Sequence, residues 1–162
     1  MQDIQILKAD LDQRPHQQAV LAMVNAYASD PMGDGKPLTP EVQANLINGL
    51  RDLPTTLIML AFWDKEPAGV AVCFRGFSTF AAKPVINIHD LYVAQELRGS
   101  GLGRLLLQRV EAEAKAIGCC KITLEVHENN LRARQVYTLF GFAQAVHVEE
   151  AGGALFMTKT LQ

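Results

Sequence analysis

Three glycines, Gly99, Gly101 and Gly103, fall within five residues of LRGSGLGRLL (97–106), between Arg98 and Arg104 and ahead of a leucine-rich run. Glycines just before a helix let backbone N–H groups point outward and let a ligand approach with no Cβ in the way. The helix N-terminus adds partial positive charge that suits a phosphate or pyrophosphate, and two arginines can add formal charge. The spelling excludes three alternatives. The fingerprint G-x-G-x-x-G fails at Arg104, where its third glycine belongs. A P-loop needs a Lys-Ser/Thr pair that is missing, and the G-x-S-x-G elbow fails because Ser100 lies directly between two glycines. A phosphate cradle of another kind remains, or a glycine-rich strand–helix turn without a ligand.

A second concentration of chemistry lies just upstream, in PVINIHDLYV (84–93). This segment reads as a strand, with Val85, Asn87, His89, Leu91 and Val93 on one face and Ile86, Ile88, Asp90 and Tyr92 on the other. A central strand covered on both faces should be nearly all apolar. Asn87, His89 and Asp90 break that rule, and such breaks cluster at functional sites. An unperturbed imidazole titrates near about 6.5, which makes His89 a candidate general base on the face of Val93. The competing reading is a core histidine satisfied by a carbonyl. Asp90 is expected on the opposite face unless a bulge intervenes; it would hold an amine, orient a neighbour or cap a turn. Further on, Asn130 and Tyr137 stand seven residues apart on one helix, about two turns, so both face the same groove.

These residues need elements to hold them. DIQILKA (3–9) alternates like a first strand. Residues 14–28 carry apolar Ala19, Val20, Met23, Val24 and Tyr27 at helical spacing, and SDPMGDGKPL (29–38) is a loop rich in Pro, Gly and Asp. Thr39 as N-cap and Pro40 at the first position open a helix over 39–50. Segments 55–63 and 67–77 read as a hairpin, and 84–93 as the next strand. A helix over 101–117 carries the stripe Leu102, Leu106, Val110, Ala114, Ile117 and ends at Gly118. Strand 120–126, helix 130–140 and a terminal hairpin over 142–161 complete the order β-α-α-β-β-β-α-β-α-β-β. That order predicts one α/β (α+β) domain over 1–162.

Arg98-x-x-Gly101-x-Gly103 after the strand HDLYV resembles the acyl-CoA motif of the GNAT N-acetyltransferase superfamily, Q/R-x-x-G-x-G/A. ENNLRARQVYTLFGF (128–142) is similar to a second stretch of that family, with Asn130, Ala133, Tyr137, Gly141 and Phe142 in step. The resemblance covers residues 84–142. It implies a mixed, mostly antiparallel sheet of about seven strands flanked by four helices, and transfer of an acetyl group from acetyl-CoA to a primary amine, with no metal. The backbone of Leu91, Tyr92 and Val93 would bond the pantetheine arm. The backbone of Arg98, Gly99, Ser100, Gly101, Leu102, Gly103 and Arg104 would hold the pyrophosphate. Asn130 would touch the pantetheine or phosphate region, and Tyr137 would protonate the departing thiolate. Many members place a Glu at the position of His89, and some a His. Asp30 and Asp34, in the loop where such enzymes shape the acceptor pocket, would attract a cationic amine. A homodimer is a family-level expectation, and a non-catalytic acyl-CoA-binding module is the alternative to an enzyme.

The totals exclude other classes. With 162 residues, 49% of them hydrophobic, 20% charged, and a net charge of −2, the chain is an ordinary globular domain with no electrostatic case for nucleic acid or an anionic membrane. No window approaches a membrane span and no secretory signal is visible, so a cytoplasmic setting is expected. Cys73, Cys119 and Cys120 lack zinc-site spacing and read as buried reduced thiols. His16, His89, His127 and His147 show no metal-ligand pattern.

Overall fold

The computed structural model describes residues 2–145, 147–150 and 152–161. The main sheet has five strands in the order β1-β2-β3-β4-β5: Ile4–Lys8, Thr56–Trp63, Glu66–Ser78, Lys83–Val93 and Ile122–Leu124. All neighbours are antiparallel except β4 and β5. Helices α1 (Arg14–Ser29) and α2 (Pro40–Asp52) cover one face, and α3 (Leu102–Ile117) and α4 (Leu131–Phe140) the other. Among the described residues no helix is long and apolar enough to cross a membrane.

β2, TLIMLAFW, is almost wholly apolar because both of its faces are covered. Its Leu57, Met59 and Ala61 meet Leu102, Leu106, Leu107 and Val110 of α3, while Ile58 and Leu60 meet Ala19 and Val20 of α1. The predicted helix ends are observed. Thr39 Oγ1 accepts from the Val42 N–H at 3.3 Å, and Gly118 closes α3 in a left-handed conformation, φ 84°.

Two expectations change. Residues 120–126 shorten to the three paired residues of β5. The terminal hairpin reduces to His147–Val148 paired with Gly152–Gly153, a two-stranded sheet separate from the first, so the expected seven-stranded sheet has five strands. Val146 and Ala151 of that hairpin lie outside the described residues.

Close packing brings α3 onto the sheet where β4 ends. Gly69 lies opposite Val93, and a Cβ there would stand 2.9 Å from the Tyr92 carbonyl oxygen and 3.1 Å from Leu106. Leu106 is fully buried in this contact. Leu106→Ala should therefore cost about 2–5 kcal/mol of stability, read as a lower urea midpoint at unchanged m-value. A loss under about 0.5 kcal/mol would show that α3 is not anchored through this residue.

Candidate active site

The site begins where two strands part. β4 pairs with β5 only over Ile86–Ile88 against Ile122–Leu124, yet β4 runs on to Val93 with β3 on its other side. From His89 onward half of its N–H and C=O groups face an opening that no strand crosses among the described residues. One of them, the Val93 carbonyl, accepts from Arg98 Nε at 3.2 Å.

A bulge lies at the parting point. Ile88 faces Cys73 and Asp90 faces Val72, which leaves His89 as the extra residue. The bulge reverses the alternation. Ile86 and Ile88 belong to the α3 core, Leu91 and Val93 pack against that same core, and Tyr92 joins the α1 side. This corrects the faces read from the sequence: Leu91 and Val93 share a face with neither Asn87 nor His89, so the expected placement of His89 on the face of Val93 does not hold. The exposed His89 meets Phe74 edge-on, ring centroids 5.5 Å apart, on the α1 side. Asp90, half-buried, therefore lies on the side of Tyr92, beside His89. Asn87 donates to Thr123 Oγ1 at 3.0 Å, a bond that ties β4 to β5 just before they separate.

The glycine turn leaves backbone N–H groups open. Gly99 (φ 83°) and Gly101 (φ 92°) take the left-handed conformation that glycine alone adopts cheaply, and a Cβ at either would meet nothing within 4 Å. Gly101 is the N-cap of α3, and no side chain caps it. The first bond into the helix is Leu105 N–H to the Gly101 carbonyl, so the N–H groups of Leu102, Gly103 and Arg104 are left for another acceptor. A Cβ on Gly103 would make only ordinary contact, 3.8 Å from Val93, so nothing in the protein demands glycine there. Arg104 is exposed, and among the described residues no carboxylate pairs with it.

Arg98 behaves differently. Its Nη2 forms an ion pair with Asp30 Oδ2, and its guanidinium carbon lies 5.5 Å from the centroid of the Tyr92 ring. Asp30 is buried. Burial pushes its carboxyl up, but the Met32 N–H and Arg98 outweigh that and hold it below the usual carboxylate range. Its charge is already balanced, so the expectation that Asp30 draws in a cationic amine gives way to a structural role. Asp34, in the same loop, is exposed, and among the described residues no cation pairs with it.

Asn130 is the N-cap of α4, with Oδ1 accepting from the Ala133 N–H at 3.2 Å; its amide N–H groups remain for a ligand. Tyr137 packs edge-on to Phe142, and burial pushes its phenol up to about 12, with Tyr27 adding to the shift. Burial, then Asp90 and Asp30, likewise raises Tyr27. Tyr27 is the residue missed in the sequence, where it counted only as an apolar position of a helix stripe. It stacks edge-on against Tyr92, 5.8 Å between centroids. Nearby, a cleft of about 490 Å³ runs between Pro31, Met32 and Gly33 on one lip and His127, Glu128 and Asn129 on the other. The suspected acceptor loop is thus brought to the end of β5 beyond its parting from β4.

The thiols stay outside this arrangement. All three are free; Cys73 is buried as expected, but Cys119 is half-buried and Cys120 exposed. Burial pushes the Cys73 thiol up to about 12, far from a nucleophile's range.

Fold and opening together define an acyltransferase-like architecture. Residues 20–142 match the acetyltransferase (GNAT) family, and the chain belongs to it. It is 34% identical over 98 residues to an uncharacterised N-acetyltransferase of Archaeoglobus fulgidus, covering 60% of this chain and 64% of that one. It is 32% identical over 89 residues to a thialysine N-epsilon-acetyltransferase of Bos taurus, covering 52% of each. The chain thus spans less than two thirds of the length of these curated relatives. A crystal structure of a probable acetyltransferase superposes with TM-score 0.79 at 23% identity, over 96% of this chain and 99% of that one. An aminoglycoside N-acetyltransferase in complex with CoA superposes with TM-score 0.75 at 14% identity, over 99% and 97%. The structural likenesses carry the fold.

Asp90 gives a test of the electrostatics. Burial raises its carboxyl above the usual range, while His89 pulls the other way. The folded state then holds the proton more tightly than the unfolded one, so stability falls as pH rises from the ordinary carboxylate range through the folded value. Asp90→Asn should raise Tm at pH 7, and the advantage should vanish below about pH 4, where both states are protonated. Thermal melts at the two pH values check this; an equal or lower Tm for the variant at pH 7 contradicts the burial argument.

Proposed function

We propose that the protein is an N-acetyltransferase that moves the acetyl group of acetyl-CoA to a primary amine by direct attack within a ternary complex. The observation that carries the reading is the uncapped N-terminus of α3, opened by two left-handed glycines, beside a β4 edge that has lost its partner strand. The likeness to a fold solved with CoA supports it, as do relatives named N-acetyltransferases.

In this reading the backbone of Leu91, Tyr92 and Val93 bonds the pantetheine arm through those of its groups that face the opening rather than β3, as an added strand would. The N–H groups of Gly99, Gly101, Leu102, Gly103 and Arg104 take the pyrophosphate, with the Arg104 guanidinium beside them, while the Ser100 N–H holds the turn by donating to the Leu97 carbonyl at 3.2 Å. Asn130 offers its remaining amide N–H groups to the arm. The amine nitrogen attacks the thioester carbon, the C–S bond breaks, and the thiolate takes its proton from Tyr137. A phenol whose pKa is about 12 stays protonated at neutral pH, as a donor must. The ammonium proton leaves to the His89–Asp90 pair at the bulge. Asp34, at the acceptor loop, draws in a cationic amine or peptide N-terminus. A module that only binds acyl-CoA would need neither a buried phenol nor a polar bulge. A homodimer in the cytoplasm belongs to the same reading.

Tyr137→Phe should lower kcat by about 100-fold or more, with acetyl-CoA affinity within about twofold of wild type. Free-thiol release across a panel of primary amines measures the first and calorimetry the second; equal turnover would return Tyr137 to a packing role. Gly101→Glu should weaken acetyl-CoA binding by about tenfold or more, because it adds bulk, charge and an unfavourable φ where the phosphates sit. Unchanged affinity would refute the cradle.

A further inference from the structure

The arginine that opens the glycine turn points away from it. Arg98 Nε donates to the Val93 carbonyl, its Nη2 to Asp30, and its plane lies over Tyr92. Asp30 is 68 residues away in sequence, at the C-terminal end of α1, and is the junction of the acceptor-side loop. Its Oδ1 accepts from the Met32 N–H at 2.9 Å, and its carbonyl accepts from the N–H groups of Gly33 at 2.9 Å and Gly35 at 3.2 Å. Gly33 is pressed onto α1 so closely that a Cβ would stand 2.2 Å from the Tyr27 carbonyl oxygen. The side chain of Asp30 is only 7% exposed and that of Arg98 28%, so the carboxylate is shielded while the guanidinium keeps some contact with water; both are hydrogen-bonded, and removing the cation would leave a largely buried carboxylate without its partner.

We infer that Arg98 and Asp30 are positioning residues that fasten the glycine turn to the acceptor-side loop, so that a ligand on one stiffens the other. The inference rests on the acyl-CoA reading for the identity of the ligand, not for the latch itself. A phosphate held by the turn after Arg98 restricts the backbone that carries the guanidinium. That restriction passes through the fork to Asp30, and from Asp30 to the three N–H groups it holds. Linkage makes the effect reciprocal: an acceptor that orders the loop tightens the hold on acyl-CoA. The pair thus serves coupling between the two halves of the site, and Arg104 is left as the cation for the phosphates.

The test is hydrogen exchange read by mass spectrometry on wild type, Asp30→Asn and Arg98→Lys, each with and without CoA. Asparagine keeps an acceptor for the Met32 N–H but removes the charge; lysine keeps the charge but loses the fork. In wild type, CoA should slow exchange of residues 31–38 by about fivefold or more, in the usual range of coupling between sites. In Asp30→Asn that slowing should disappear, and without ligand both 31–38 and 98–101 should exchange faster than in wild type. Arg98→Lys should fall between the two, and stands alone if Asp30→Asn does not fold. If CoA shields 99–104 in wild type but leaves 31–38 unchanged, or slows 31–38 equally in the variants, the coupling is refuted. If CoA does not bind wild type at all, the acyl-CoA reading fails, and the ligand-free comparison still decides the latch: equal exchange in all three proteins would overturn it.

Discussion

Backbone N–H and C=O groups must find partners, and a strand that loses its neighbour leaves a row of them open. β4 is such a strand. It stays paired with β3 to its end, through the bulge at His89, but keeps β5 for three residues only. The rest of the site is arranged around that row. α3 starts just beyond it with its own first N–H groups unpaired, Arg98 takes the last carbonyl, and α4 brings Tyr137 to the same side of the sheet. Two sets of unsatisfied backbone groups, one from a strand edge and one from a helix end, thus lie together. That pairing suits an extended ligand carrying an amide-rich arm and an anionic head.

Holding the strands apart requires local devices. The Asn87–Thr123 bond closes the paired part of β4 and β5, and the bulge at His89 turns the chain immediately after it. The bulge also moves a carboxylate into a partly dry position next to a histidine, against the ordinary preference of a covered sheet for apolar residues. Gly69 permits the close approach of β3, β4 and α3 that fixes Val93 at the mouth. Stability is given up at the bulge and regained in the α3 contact.

The parts of this arrangement that depend on short spacing were legible in the sequence. Left-handed glycines ahead of an amphipathic helix, the Thr39 and Gly118 helix ends, and Asn130 with Tyr137 on one helix all follow from local rules. The faces of β4 were not, because alternation assigns faces only while the register is unbroken and one extra residue reverses it. The extent of pairing was also hidden. CKITLEV alternates over seven residues, but three find partners, since pairing depends on where β4 turns away. The Arg98–Asp30 pair joins loops far apart in the chain, and no local pattern announces it. Tyr27 was absorbed into the helix stripe for the same reason: its position beside Tyr92 and Asp90 arises only from packing.

The central claim is that the glycine turn and the open strand edge form one site for acyl-CoA. Calorimetric titration of the wild-type protein with acetyl-CoA and, separately, with NADH tests it most directly. The account predicts saturable binding of acetyl-CoA, one per chain, and none of NADH. Binding of neither would reduce the glycines to a strand–helix turn, and equal binding of both would contradict a site shaped for a pantetheine arm.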